Sequence, residues 1–298
     1  MSHGAARFQV VLAALCFATT GTAQALGPDG TNPVGVGAAR ILVGGALLVL
    51  VAVATRGVTA RRWAPKPVLA AVAGVAVYQL AFFAAVADTG VAVGTIVALG
   101  SAPTLAGLFE WLLDRRKPDP RWAAATALAC AGVAMLALAG GEASVSPPGI
   151  AMAVVAGAAY AVYTLAAKRL LNAGHAPEQV MAAAFGLGAV ALLPALALSD
   201  PHWLLHTDGI ALALFLGTIP TALAYVLFAR GLRRLSASET ATLTLAEPLT
   251  AGALGAIVLA EPLTAMSAAG AGLVLAGLLA LAVRIPGPVV ASPQRIGA

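Results

Sequence analysis

Three ionisable side chains stand inside runs of apolar residues long enough to cross a bilayer: Arg40, Glu110 and Glu247. A charge at such depth costs about 2.5–3.5 kcal/mol on insertion scales, so each is a functional candidate by default. Glu247 precedes Pro248 near the centre of its run. It could exchange a proton and couple transport to it, or bind a cationic amine. Its structural alternative is to accept from backbone N–H groups freed by the proline. Arg40 offers a permanently charged, bidentate fork suited to a substrate carboxylate. The alternative is that it snorkels outward to Asp29 or Asp88. Glu110 is close in sequence to Arg115 and Arg116 and reads as half of an interfacial ion pair.

Polar and aromatic residues gather at mid-depth: Tyr78, Gln79, Ser101, Tyr160, Tyr163, Thr221, Tyr225 and Thr244, with Thr164, Thr218 and Thr242 beside them. Membrane aromatics normally gather at the interfaces, as Trp63, Trp111, Trp122 and Trp203 do near the ends of runs. Mid-depth rings and amides suit the walls of a cavity for a partly apolar solute. The competing role is hydrogen-bonded glue between helices. His202 and His206 are spaced i, i+4, but no third metal ligand of clear spacing accompanies them. Cys16 and Cys130 lie in apolar runs and read as small core residues. No Walker A loop, HExxH, GxSxG or dinucleotide-binding glycine pattern is present, so no cofactor, ATP-driven step or hydrolytic centre is expected.

The elements that carry these residues follow from composition. The chain has 298 residues, 60% hydrophobic and 10% charged, with a mean hydropathy of +0.93. So few charges cannot cover a soluble fold of this length. Long apolar runs without period-two alternation exclude a barrel and leave helices. The runs predict ten transmembrane helices at 8–26, 34–55, 67–87, 91–113, 121–140, 148–168, 178–198, 208–229, 238–260 and 264–284. The small residues Thr22, Ala23, Gln24 and Ala25 resemble a signal cleavage site. With only Arg7 before it, however, the first run reads as a retained helix.

The loops orient the bundle. Sixteen of the seventeen basic residues, all but Arg40, fall at one set of alternate connections. The other set carries Asp29, Asp88, Glu142, Asp200, Asp208 and Glu261 instead. By the positive-inside rule both termini are cytoplasmic and the chain is a multi-pass protein of the inner (plasma) membrane. The net charge of +5 belongs to these loops, so the lipid bilayer is the expected partner and nucleic acid is not.

Slid by 145 residues, positions 83–138 fall on 228–283 without gaps, with 14 identities in 56. Pro103 meets Pro248, Gly107 meets Gly252 and Gly132 meets Gly277. The chain therefore reads as two five-helix repeats, 1–142 and 143–284, followed by a disordered cytoplasmic tail, 285–298. An odd number of spans inverts the second repeat relative to the first, which is the plan of secondary transporters. Pro103 and Pro248 then become candidate hinges at matching depth.

At this point the chain resembles the EamA-type transporters of the drug/metabolite transporter superfamily. The carrying residues are Leu245, Ala246, Glu247, Pro248 and Leu249, then Gly252 and Gly255, then Leu259, Ala260, Glu261, Pro262, Leu263 and Thr264. Ala222 to Tyr225, Ala229 to Arg234, and Ala38, Ala39 and Arg40 resemble further family patterns. The first half departs from them, with Ala102 where the second has Glu247 and Arg116 where it has Glu261. The resemblance implies a ten-helix secondary transporter, an exporter or importer of small metabolites such as amino acids or amines, with export the preferred direction. It implies no enzyme activity. A lipid-acting intramembrane enzyme and a non-transporting sensor or scaffold are the alternatives. Oligomeric state is left open, with a homodimer among the options.

Overall fold

The computed structural model describes residues 2–56, 62–115, 117–139, 146–260 and 263–282. Arg61, Arg116, Glu142, Glu261, Arg284, Arg295 and the tail expected at 285–298 lie outside the described residues. Every described element is helical. Among the described residues, nine helices are long and apolar enough to cross a membrane: α1 (His3–Ala25), α2 (Pro33–Thr55), α3 (Pro65–Gly90), α4 (Val93–Asp114), α5 (Pro120–Ala139), α6 (Pro147–Asn172), α7 (Pro177–Leu198), α8 (Thr207–Leu232) and α9 (Ala237–Val258). A shorter apolar helix, α10 (Ala265–Ala282), completes the described chain.

Three features depart from the ten uniform spans expected. First, α3 and α4 form one helical run, Pro65–Asp114, turned at Gly90 with φ 78° and ψ 163°. That conformation is open to glycine and strained for other residues. Second, α8 contains a π-helical stretch, Thr218–Leu223. Pro220 has no N–H to give Leu216, and the Thr221 hydroxyl takes that carbonyl at 2.7 Å instead. Third, α9 divides at Thr244 and Leu245 into Ala237–Leu243 and Ala246–Val258. Pro248 would clash with the Thr244 carbonyl of an unbroken helix. Pro103 lies within a continuous helix, so the two candidate hinge prolines differ in their surroundings.

The helices pair as α2 with α7, α5 with α10, α6 with α3 and α4, and α1 with α8 and α9. Exchanging each helix for the one five positions away returns the same set of pairs. The α5–α10 contact repeats this at residue level. A side chain at Gly132 would meet the backbone of Gly270, and one at Gly277 would meet the backbone of Ala125. In the 145-residue repeat, 132 corresponds to 277 and 125 to 270. Small residues let these backbones approach where lipid supplies no hydrophobic drive.

Bonds at the helix ends gather the basic residues at one face. Arg7 pairs with Glu239 at 2.7 Å, Arg230 with Glu178 at 2.7 Å and Arg169 with Asp114 at 3.5 Å. Lys168 donates to the Leu232 carbonyl at 2.8 Å and Arg121 to the Ala280 carbonyl at 2.6 Å. The starts of α1, α5, α7 and α9 and the ends of α4, α6, α8 and α10 therefore share this basic face.

The α5–α10 contact can be tested directly. Gly132→Leu overpacks it and should cost about 1–3 kcal/mol, read as a fall of several degrees in the unfolding midpoint in detergent. Gly272→Leu adds a side chain with no atom within 4 Å, and the midpoint should stay within about 2 °C.

Candidate functional site

Aromatic rings form a rigid wall in the interior. Phe185 and Tyr225 lie with ring centroids 4.0 Å apart, and Tyr163 meets Phe185 edge-on at 5.7 Å. Phe17 of α1 closes on Tyr225 at 4.9 Å, and Tyr78 faces Tyr160 at 6.0 Å. Offset and edge-on contacts of this kind add to the stability of simple burial. Between the rings runs a narrow cleft lined by Ile41, Gly74, Val75, Tyr78, Gln79, Tyr160, Tyr163, Phe185 and Tyr225.

Polar groups converge here without satisfying one another. Arg40 on α2 donates to the Gln79 carbonyl oxygen on α3 at 3.4 Å, a long bond. The Arg40 Nε and the Gln79 Nε2 are buried with no partner. Gln79 reaches this position across Gly37, where a side chain would collide with its amide. The Glu247 carboxylate, at the start of the second segment of α9, makes no hydrogen bond and no ion pair. It lies within electrostatic range of Arg40 and of Tyr78, Tyr160 and Tyr225. The hydroxyls of Tyr78 and Tyr225 are also without hydrogen bonds. Buried polar groups in folded proteins nearly always have partners. Unmet donors beside a carboxylate without an ion pair are groups that a polar ligand could engage.

Several structural alternatives fail on this geometry. Arg40 turns toward Gln79 rather than toward Asp29 or Asp88. Glu247 accepts from no backbone N–H near Pro248; its own N–H donates to the Thr244 carbonyl at 2.9 Å. Glu110 pairs with neither Arg115 nor any other described arginine. It accepts from the N–H groups of Ala237 and Ser238 at 2.7 and 3.2 Å, the first-turn donors of α9 that the Ser236 cap, which takes the Glu239 N–H, leaves open. Trp122 is no interface anchor either, since its indole N–H donates to Thr242 inside the bundle at 3.0 Å.

Other expected site residues are engaged in the scaffold. Ser101 donates to the Ala98 carbonyl at 3.3 Å and sits over Gly157 of α6. Thr221 completes the π-helical stretch. The Tyr163 hydroxyl points to the Met181 sulfur at 3.2 Å. Thr244 donates to the Ala241 carbonyl at 2.8 Å and meets the Tyr160 hydroxyl at 3.4 Å. Tyr78, Gln79, Tyr160, Tyr163 and Tyr225 thus line the cleft, with Arg40 bonded to Gln79 and Glu247 within electrostatic range of the tyrosines, while Ser101 and Thr221 face helix contacts. Phe17, Phe185 and the Pro220 distortion were not singled out from the sequence; the proline within the eighth apolar run was the available signal for the last. Among the described residues, no group of three or more His, Cys, Asp or Glu could hold a metal ion.

The pattern of the EamA-like transporter family matches twice, over residues 5–138 and 147–283. The chain is 40% identical over 272 residues to an uncharacterized transporter, YwfM, of Bacillus subtilis (strain 168), covering 91% of this chain and 92% of that one. It is 31% identical over 133 residues to an uncharacterized transporter of Archaeoglobus fulgidus (strain ATCC 49558), covering 44% and 46%. A solved crystal structure shares its fold with a TM-score of 0.81 at 22% identity, covering 94% of this chain and 99% of that one.

The two kinds of wall residue should separate experimentally. Phe185→Ala removes a fully buried ring and should cost about 3–5 kcal/mol in unfolding. Tyr225→Phe keeps the ring contacts and removes only an unbonded hydroxyl, so the unfolding midpoint should be unchanged. Ligand affinity should then fall for Tyr225→Phe without loss of stability.

Proposed function

The chain belongs to the EamA-like transporter family, and from that premise we propose that it is a secondary transporter exporting small metabolites that carry an amino group, amino acids and amines, in exchange for protons. On this reading ten helices cross the inner membrane as two inverted five-helix repeats, with both termini in the cytoplasm and no enzymatic step. The helix pairs that map onto themselves under a five-helix exchange support the repeats, and the gathering of basic residues at one face supports the orientation.

The observation that supports the reading is an aromatic cleft with Arg40, whose Nε is unbonded, and Glu247, which forms no ion pair among the described residues, within electrostatic range of each other and of its tyrosines. A guanidinium with a free Nε is a ready partner for a carboxylate. A carboxylate without a hydrogen bond is a ready partner for an ammonium group or a proton. Tyrosine faces favour the cation between them. Because Glu247 can hold a proton or an ammonium but not both, an inward proton gradient drives the amine outward. The unequal halves, with Ala102 opposite Glu247 in the repeat, give one coupling carboxylate rather than two. Alternating access would use Pro248 and Pro103 as unequal hinges, a reading supported by the divided α9 and the continuous α4.

Purified protein in liposomes should move an amino acid or amine when a pH gradient is applied. Glu247→Gln should abolish the response to the gradient, and full gradient-driven flux in that variant would refute the coupling role. Arg40→Ala should weaken carboxylate-bearing solutes by roughly 10–100-fold, as expected for a lost charged hydrogen bond, while simple amines change little.

A further inference from the structure

Polar groups that the cleft does not use gather at the basic face, around the first segment of α9. The Glu110 carboxylate of α4 accepts three bonds: from the Ala237 N–H at 2.7 Å, the Ser238 N–H at 3.2 Å and the Ser238 hydroxyl at 2.5 Å. Beside it, Arg7 of α1 holds Glu239 at 2.7 Å, with both side chains about four-fifths removed from solvent. Deeper in, Trp122 of α5 donates to Thr242 at 3.0 Å, and Thr126 shares the same hydroxyl at 2.8 Å. Three helices are thus fastened to Ala237–Leu243 by charge-assisted and buried hydrogen bonds, the stronger class of such contacts.

The second segment of α9 is treated differently. Helix α4 packs against Ala237–Leu243 and makes no comparable contact with Ala246–Val258. Burial follows the same division. Residues 240–246 are all buried, whereas from Glu247 to Val258 only Gly255 is. The two helices diverge from the basic face outward, and Glu247 stands where they part.

The internal repeat shows that this asymmetry is written into the sequence. Shifting by 145 residues carries Glu110 to Gly255, Ser238 to Val93 and Glu239 to Gly94. It carries Trp122 to Ser267 and Thr242 to Val97. The face opposite, built from equivalent positions, therefore lacks at least one partner of each of these bonds.

We propose that Glu110 with Ser238, and Arg7 with Glu239, form the latch that closes the transport pathway at the basic face, while the opposite gate has no equivalent of it. The proposal rests on the alternating-access reading above. Opening at the basic face breaks three bonds to one carboxylate and an ion pair; among the described residues, the repeat-equivalent positions opposite make no such bonds. The two states are consequently unequal in free energy, and the unloaded protein rests with its cleft reached from the acidic-loop face. In a proton-driven exporter that state is the one that collects protons.

Ala106 reports on the latch. It is fully buried against Ala161 and Ala241, about one helical turn inside Glu110. Ala106→Cys would be introduced with Cys16→Ala and Cys130→Ala, and a membrane-impermeant maleimide applied to each face of oriented vesicles. With the latch intact, labelling from the basic face should be negligible. Glu110→Gln combined with Arg7→Gln should raise that rate about tenfold or more, the shift expected when a minor state is released. Ser238→Ala, which removes one bond and leaves both charges, should raise it less and serves if the double variant fails to insert. Ready labelling from the basic face with the latch intact, or an unchanged rate in every variant, would overturn the proposal. No solute is present, so this result is independent of whether Glu247→Gln abolishes proton-driven flux.

Discussion

The proposed site turns on an arginine and a carboxyl side chain set at mid-depth without touching. Arg40 and Glu247 are within electrostatic range but form no ion pair. Had they met, they would satisfy each other and leave little to recognise a ligand. On the proposed reading they are held apart, each only partly buried, and something polar bridges them. That constraint decides what the helices around them must do.

They must be rigid enough to keep the charges from collapsing together. The ring wall of Tyr163, Phe185, Tyr225 and Phe228 supplies one rigid body. The Tyr163 hydroxyl is tied to Met181, and the π-helical stretch of α8 is closed by Thr221, so these polar atoms stabilise the frame and leave the cleft to others. Glu247 is set at a discontinuity, just beyond the division of α9 at Thr244 and Leu245. There the second segment separates from α4. The first segment is held by Glu110, Arg7, Trp122 and Thr126, so movement of one segment need not disturb the other.

Much of this was legible from residue type and spacing. The apolar runs give the helices to within a few residues, the loop charges give a basic face, and Tyr78, Gln79, Tyr160, Tyr163 and Tyr225, picked out by depth, line one cleft. What escaped depends on partners distant in the chain or on backbone detail. Glu110 looks local, next to Arg115, yet its partners are 127 and 128 residues away. Ser101 and Thr221 have the depth of site residues, but a glycine on the facing helix and a proline on the same helix claim them. The break between the third and fourth apolar runs falls at Gly90, where the runs 67–87 and 91–113 leave room for it, but the continuation of the helix through the joint depends on backbone detail.

The account's central claim concerns two charges that wait for one ligand, and binding measures it most directly. Calorimetric titration of the purified protein should compare an amino acid with the amine left by removing its carboxylate and the acid left by removing its amino group. The account predicts tightest binding for the zwitterion, with the carboxylate contribution lost in Arg40→Ala and the amino contribution lost in Glu247→Gln. Equal affinity for all three compounds, or a zwitterion preference that survives both substitutions, would contradict it.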